Sequence, residues 1–539
     1  MELVKKWNLV RKPLAILVAV TILILFSIYL FSQTRLAGDV ASHLLLAVSP
    51  ILKIGAPYKD FWEIKPPVWP LVLYLWSNLF GFSILSIRII NIIVAAFTIL
   101  TSYLIYKKVF QTPVLEIIFI STVIIVLSPV LNSIMMPTEL LGLLISMGAL
   151  LALVSFRKDF PKFYLSGFLF FAASQTKEPF TFTVLTVLPV FIYALLKSGW
   201  RRLFKNLTQF LLGVLTCFVI IYIYLTAFGS VEAYVEVFRF KQVFFSFKLD
   251  RLSQNFLPGF YAAERTFTEF SSGFSILIVF VALSFYLVNK FKKTLSFNIK
   301  SSYLTIKPII VSNPEKLTKY TVLFYAIGSF LGFGLGGTFG SHYLIQVVIP
   351  FYIIDGFLIS YLFGGVSFLF HESKTYFYLN LILFVLSIFV LIPKRPYFSY
   401  YLRENLGFHF SDNILGFEKR ITELTTKDQC VLSVYGWGVS ENYLYSGRRP
   451  CTRFFLANIV SQDWQKKEYA RDVIENPPAV IIYQTGAADM DIQKFESKVI
   501  NVSKIVQNCY IQDAKEGTVY IPKLKNVEDL KSCVKNNSI

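Results

Sequence analysis

Runs of about 18–24 apolar residues recur along most of the chain, the length an α-helix needs to cross the hydrocarbon core of a bilayer. A helix satisfies its own backbone hydrogen bonds inside lipid, whereas a barrel strand would alternate apolar and polar residues. These runs do not alternate. Spans are expected near residues 14–32, 85–106, 113–131, 139–156, 162–177, 180–196, 207–228, 273–289, 320–338, 343–363 and 376–393, about eleven in all. With 55% hydrophobic and only 16% charged residues over 539 positions, and a mean hydropathy of +0.58, a soluble globular chain is excluded. The first run, Leu14 to Ser32, follows Lys5, Lys6, Arg11 and Lys12 as a signal peptide would. It is too long for such a signal and no Ala-x-Ala site follows, so it reads as a retained anchor.

The net charge of +19 raises the question of nucleic acid, but the basic residues sit mainly in short segments between spans, where they set orientation. No nucleic-acid partner is expected. With residue 1 inside, the inner segments hold about 21 basic against about 4 acidic residues, a strong positive-inside bias. That count depends on reading Pro66 to Phe80 as a helix lying in the interface. The stretch is short for a span, carries Pro70, and has Trp69, Tyr74 and Trp76 to sit at headgroup depth. Three segments then face outward: Gln33 to Ser83, Ser230 to Ser271, and everything after Pro393.

The tail after Pro393 is the one part with soluble-domain composition. CVLSVYG and AVIIYQTG read as buried strands and WQKKEYARDVIEN as a helix, so an α/β domain over residues 394–539 is expected beyond a helical membrane domain over 1–393. Its four cysteines lie where disulfides persist, and Cys509 with Cys533 and Cys430 with Cys451 are expected to pair. No Cys/His spacing suits zinc, and no Walker or dinucleotide glycine pattern suits a nucleotide.

The first outer segment interleaves carboxylates, cations and aromatics: Asp39, His43, Tyr58, Asp60, Trp62, Glu63 and Lys65. A positioned carboxylate there can take a proton from an acceptor, and adjacent cations can stabilise a departing phosphate. On composition alone, ordinary interfacial charges are the simpler reading. The stretch GDVASHLLLAVSPILKIGAPYKDFWEIKPPVWPLVLYLWSNLFGFSILSIRIINIIVA nevertheless resembles the start of the protein-O-mannosyltransferase and aminoarabinose-transferase group of the GT-C superfamily. The likeness is carried by Asp39, Gly55, Pro57, Tyr58, Asp60, Phe61, Trp62, Glu63, Lys65, Pro66, Pro67, Phe80, Gly81, Ser83 and Arg88.

That resemblance implies a polytopic membrane glycosyltransferase in a bacterial inner membrane, taking a sugar from a polyprenyl-phosphate donor to a protein, lipid or glycan acceptor outside. It implies Asp39 as the catalytic carboxylate, Lys65 and Arg88 on the donor phosphate, and His43, Tyr58, Asp60, Trp62 and Glu63 as support for the loop. Many members carry a second acid and an aromatic soon after the Asp, where this chain has Val40 and His43. No metal held by paired acids is therefore expected, since a hard divalent cation wants several oxygen ligands. His43, one turn along a helix from Asp39, can pair with it.

Three further places follow from the same resemblance. Glu139, after Pro137 and Thr138, matches a second acidic position; the plain alternative is a helix-start Glu with Thr138 as cap. Lys177 matches a phosphate contact; the alternative is a snorkelling lysine paired with Glu178. His342 and Tyr343, after a glycine-rich turn, match a His-Tyr pair that offers donors to the same phosphate. In the tail, Trp437, Tyr443, Arg448 and Arg453 are expected to dock the domain on the membrane surface rather than to border the acceptor. A transporter or flippase is the rival reading, but such proteins place ionisable groups near the midplane, often in repeats, and here the charges crowd one boundary.

Overall fold

The computed structural model describes residues 39–110, 137–155, 159–197, 199–244, 314–335, 413–434, 439–456, 460–483 and 499–538. The expected spans near 14–32, 113–131, 273–289, 343–363 and 376–393 lie outside them. The described helices, in chain order, are α1 (Asp39–Leu52), α2 (Val68–Phe80), α3 (Ile84–Phe110), α4 (Pro137–Ser155), α5 (Asp159–Ser174), α6 (Thr181–Lys197), α7 (Trp200–Ala227), α8 (Val231–Phe244) and α9 (Pro314–Leu335). Among the described residues, three helices have segments long and apolar enough to cross a membrane: Ile84–Ile105, Thr138–Ser155 and Trp200–Ala227. Helix α2 has 13 residues, about 20 Å at 1.5 Å per residue, which falls short of a hydrocarbon core.

The chain gathers into two units. The first includes residues 88–219, and α9 also belongs to it. Within it α4 packs along α5, and α9 along α6. Apolar solvent gives helices no hydrophobic reason to associate, so close backbone approach has to do the work. Gly167 of α5 and Gly213 of α7 provide it. A Cβ on Gly167 would stand 2.1 Å from the Phe210 carbonyl oxygen, and one on Gly213 would stand 2.0 Å from that of Tyr164. Polar contacts also link these helices: Ser146 pairs with Tyr325 at 2.7 Å and Tyr164 donates to Thr216 at 3.1 Å.

The second unit joins residues 34–87, 220–246 and 407–539. Each lies largely within one of the three stretches that the charge pattern assigns to the outer side. Its tail holds α10 (Asn413–Leu424), β1 (Cys430–Ser433), α11 (Val439–Ser446), β2 (Arg449–Pro450), α12 (Asp463–Glu475), β3 (Val480–Ile482), α13 (Val502–Cys509), β4 (Tyr510–Gln512), β5 (Val519–Pro522) and α14 (Val527–Asn537). The strands form one mixed sheet in the order β2-β1-β3-β5-β4, with β1 parallel to β2 and β3, and β5 antiparallel to β3 and β4. Strands β1 and β3 are buried along their whole length, as continuous apolar runs on a covered sheet require. Disulfides close Cys430–Cys451 and Cys509–Cys533, the two expected pairs.

Two tail residues are not where the sequence reading put them. Tyr443 is buried, its hydroxyl accepting from the Ser433 N–H at 2.9 Å. Arg448 is buried as well, donating to the Thr425 hydroxyl at 2.8 Å and carbonyl at 2.8 Å, and to the Thr422 carbonyl at 3.3 Å. It caps the carbonyls around the C-terminus of α10, where a cation is favoured. Neither residue can dock the domain on a membrane surface. Trp437 lies outside the described residues.

Candidate active site

The segment that carries the resemblance is built around α1, which begins at Asp39 and is covered by α2 and by α11 of the tail. Asp39 is described at the backbone level, as the first residue of the helix. His43 lies one turn on and is buried. The helix ends in a left-handed Lys53 (φ 60°), with the Ile54 N–H donating to the Ser49 carbonyl at 3.1 Å.

The turn that follows is tightly tied. Gly55 takes φ 155°, and a Cβ there would meet the Asp60 Cβ at 2.7 Å and the Phe61 ring at 2.9 Å, so glycine is demanded twice over. The Asp60 carboxylate accepts from the Ala56 N–H at 2.7 Å, and the Asp60 N–H donates to the Ala56 carbonyl at 3.0 Å. Tyr58 holds a left-handed backbone (φ 62°) and donates through its hydroxyl to the Lys65 carbonyl at 3.0 Å. A strained conformation of this kind persists where the surroundings over-determine it. Here they do: the Tyr58 ring meets Tyr234 edge-on at 5.1 Å and is buried. Glu63 is buried, its carboxylate accepting from the Ile64 N–H at 3.0 Å. Lys65 is half-buried just before Pro66 and Pro67.

Trp62 is fully buried as well. Its backbone N–H donates to the Arg453 carbonyl at 2.7 Å, and its ring packs against Phe240, Phe454 and Trp464 with centroids 5.3–6.0 Å apart. Phe61 meets Phe455 at 5.7 Å. The Arg453 guanidinium lies 4.9 Å from the centre of the Trp62 ring and reaches Glu236 and Glu468. The sequence holds no spacing that links positions 62, 236, 453 and 468, so this cluster was not legible there.

In the other unit, Glu139 and Lys177 form a buried ion pair, Lys177 Nζ donating to Glu139 Oε1. Glu139 is 0% exposed. The Thr138 hydroxyl donates to Glu139 Oε2 at 2.6 Å, so Thr138 supports the carboxylate instead of acting as the cap that the plain alternative supposed. Lys177 pairs across 38 residues of sequence with Glu139, and the snorkelling pair with Glu178 is thereby corrected. The position of Lys177 follows from Pro179, which has no N–H to give back to α5 and begins a short 3-10 turn, Glu178–Phe180. Lys177 is left extended (φ −155°) at the break. Arg88 is buried in α3. His342 and Tyr343 lie outside the described residues. Among the described residues, no group of three or more His, Cys, Asp or Glu could hold a metal ion.

Residues 64–226 match the family model described as dolichyl-phosphate-mannose-protein mannosyltransferase. That range takes in Lys65, Arg88, Glu139 and Lys177. No curated relative matches by sequence. By structure, the chain is similar to ArnT from Cupriavidus metallidurans bound to undecaprenyl phosphate, with 11% identity, a TM-score of 0.50, and 94% of this chain and 97% of that one covered. The apo form of the same protein gives 12% identity and a TM-score of 0.52, covering 97% and 99%. The archaeal oligosaccharyltransferase AglB from Archaeoglobus fulgidus, in complex with an inhibitory peptide and a dolichol-phosphate, gives 12% identity and a TM-score of 0.46, covering 95% and 74%. The fold assignment rests on the first two.

Proposed function

For an integral membrane chain with the fold of the GT-C glycosyltransferase superfamily, we propose the transfer of a sugar from a polyprenyl-phosphate donor to an acceptor on the outer face. The observation that carries this reading is the family match over 64–226, on a chain whose fold is similar to ArnT over at least 94% of its length. ArnT has been crystallised with undecaprenyl phosphate, which makes a polyprenyl phosphate the donor carrier to test first.

The chemistry is a single displacement. The acceptor oxygen or nitrogen forms a bond to the anomeric carbon and gives up its proton to the Asp39 carboxylate. The bond from that carbon to the donor phosphate oxygen breaks, and its electron pair leaves with the polyprenyl phosphate. Positive side chains lower the barrier by stabilising charge that grows on this leaving group. Lys65, Arg88 and Lys177, with His342 and Tyr343 as donors, take that role, and Glu139 holds Lys177 in place. No resident metal enters the scheme. The acceptor side is the outer face of a bacterial inner membrane, with the N-terminus inside.

The test is transfer from a labelled polyprenyl-phosphate sugar in reconstituted membranes. Wild-type protein is expected to move the label to an acceptor, and Asp39→Asn to insert normally but lose about 10²–10⁴ in rate. Full turnover in Asp39→Asn removes Asp39 from the mechanism. Wild-type protein that transfers no polyprenyl-linked sugar, but carries the lipid across the bilayer, establishes the flippase reading instead.

A further inference from the structure

Arg453 joins three segments that are remote in sequence. Its Nη1 donates to Glu236 Oε2 at 3.0 Å, across 217 residues, and its Nη2 donates to Glu236 Oε1 at 3.2 Å and to Glu468 Oε2 at 3.0 Å. The guanidinium carbon lies over the Trp62 ring, 4.9 Å from its centroid, and 5.1 Å and 5.9 Å from the centroids of Phe454 and Trp464. Its carbonyl takes the Trp62 N–H at 2.7 Å. A guanidinium meets carboxylates through a rigid, planar fork, whereas an ammonium is a compact charge on a flexible stem that does not reproduce that bidentate geometry.

Trp62 stands three residues before Lys65, whose own carbonyl is tied to Tyr58. Arg453 stands two residues after Cys451, which the disulfide fastens to the start of β1. A continuous line of fixed groups thus runs from the tail's sheet, through Arg453 and Trp62, to Lys65. We propose that Arg453 is a positioning residue for transfer: it holds the outer loop in the conformation in which Lys65 meets the donor phosphate. This rests on the reading of Lys65 as a phosphate contact. Arg453 itself touches no reacting atom.

A loosened loop weakens ground-state and transition-state contacts to the phosphate alike, which raises the donor KM. A misplacement of about 1 Å far from the chemistry can cost about 10²-fold. Arg453→Lys and Arg453→Ala are therefore expected to lower kcat/KM for the polyprenyl-phosphate sugar by up to about 10²-fold. Most of that loss falls on donor KM, with the acceptor KM unchanged. A merely structural role would lower the active fraction, and so kcat, with donor KM unmoved.

The full-length protein in detergent supplies a second readout. Hydrogen exchange in the peptide 56–67 is expected to rise in both variants while β3 stays as protected as in wild type. Glu236→Gln, which keeps the arginine, should move both readouts the same way by less. If the loop loses protection but donor KM is unchanged, or if neither changes, Arg453 is not a positioning residue. If the Arg453 variants lose protection throughout the tail, Glu236→Gln decides by the same two criteria. Wild-type protein without transferase activity defeats the functional reading separately, since the exchange measurement does not need it.

Discussion

Lys177→Met removes the ammonium that donates to Glu139, a carboxylate in a position with 0% exposure. Lys177 itself is only 8% exposed in its side chain, so water contributes little to the pair in the folded state. Removing one partner of such a pair costs about 3–5 kcal/mol, because the remaining charge stays buried. Glu139→Gln takes the carboxylate from the buried ammonium and should cost a similar amount. The double variant Glu139→Gln/Lys177→Met removes both charges of the pair together, so it should regain most of that loss, with a coupling of up to about 3 kcal/mol. Reversible unfolding in detergent of wild type, both single variants and the double variant completes the cycle. Strictly additive losses would refute the argument, because they would mean that the two charges do not sense each other. Transfer separates the roles: the double variant is expected to be stable yet deficient in donor use, since the phosphate has lost a cation.

In the tail, the Arg420 guanidinium donates to both carboxylate oxygens of Asp513, at 3.0 and 2.7 Å, and holds that carboxyl below the ordinary range. A depressed folded pKa gives stability that is present above the unfolded value, near ~3.9, and is lost as pH falls through the folded value. Arg420→Gln should therefore flatten the acid limb of the domain's stability, measured by unfolding at stepped pH; an unchanged limb contradicts the linkage. Replacing Cys509 and Cys533 by Ser, which opens a loop with a sequence separation of 24, should cost about 3 kcal/mol under non-reducing conditions. A cost near zero would speak against loop closure as the source. Cysteine labelling at Lys300 and at Asp463 should report opposite sides of the membrane, and the same side for both would break the charge-based topology.

What the sequence revealed of the fold is what local chemistry decides. The runs CVLSVYG and AVIIYQTG supply β1 and β3, and WQKKEYARDVIEN supplies α12, because apolar runs flanked by turns and an amphipathic run between them have few alternatives. Helix α2 is legible from its length and Pro70. Strand β2 is not: Arg449–Pro450 is two residues long and exists only because β1 lies beside it. Thr138 shows the limit of a local rule. A Thr before Glu reads as a helix cap, but with Pro137 opening α4 the hydroxyl is already inside the helix and turns to its neighbour's carboxylate. Lys177 was legible as a cation at a break, but its partner, 38 residues away, was not, since nothing in the spacing selects Glu139 over the adjacent Glu178.

The same distinction sorts the carboxylates of the outer loop. Asp60 accepts the Ala56 N–H and so completes a turn in which even a Cβ at Gly55 would clash; its charge is committed to shape. Glu63 is buried with its oxygen on the neighbouring Ile64 N–H, and it follows directly on Trp62, which the tail grips. A group so committed is a poor general base, because taking a proton would cost the contact that holds the loop. Asp39 opens α1, a helix packed by both α2 and α11, so the packing of that helix fixes its backbone. A general base works best where its position is built by groups other than the one that reacts. On the proposed reading, Asp39→Asn is therefore the perturbation that isolates the reaction, and Asp60→Asn and Glu63→Gln, at residues whose carboxylates hold the backbone of the loop, are expected to cost less transfer in the same membrane assay.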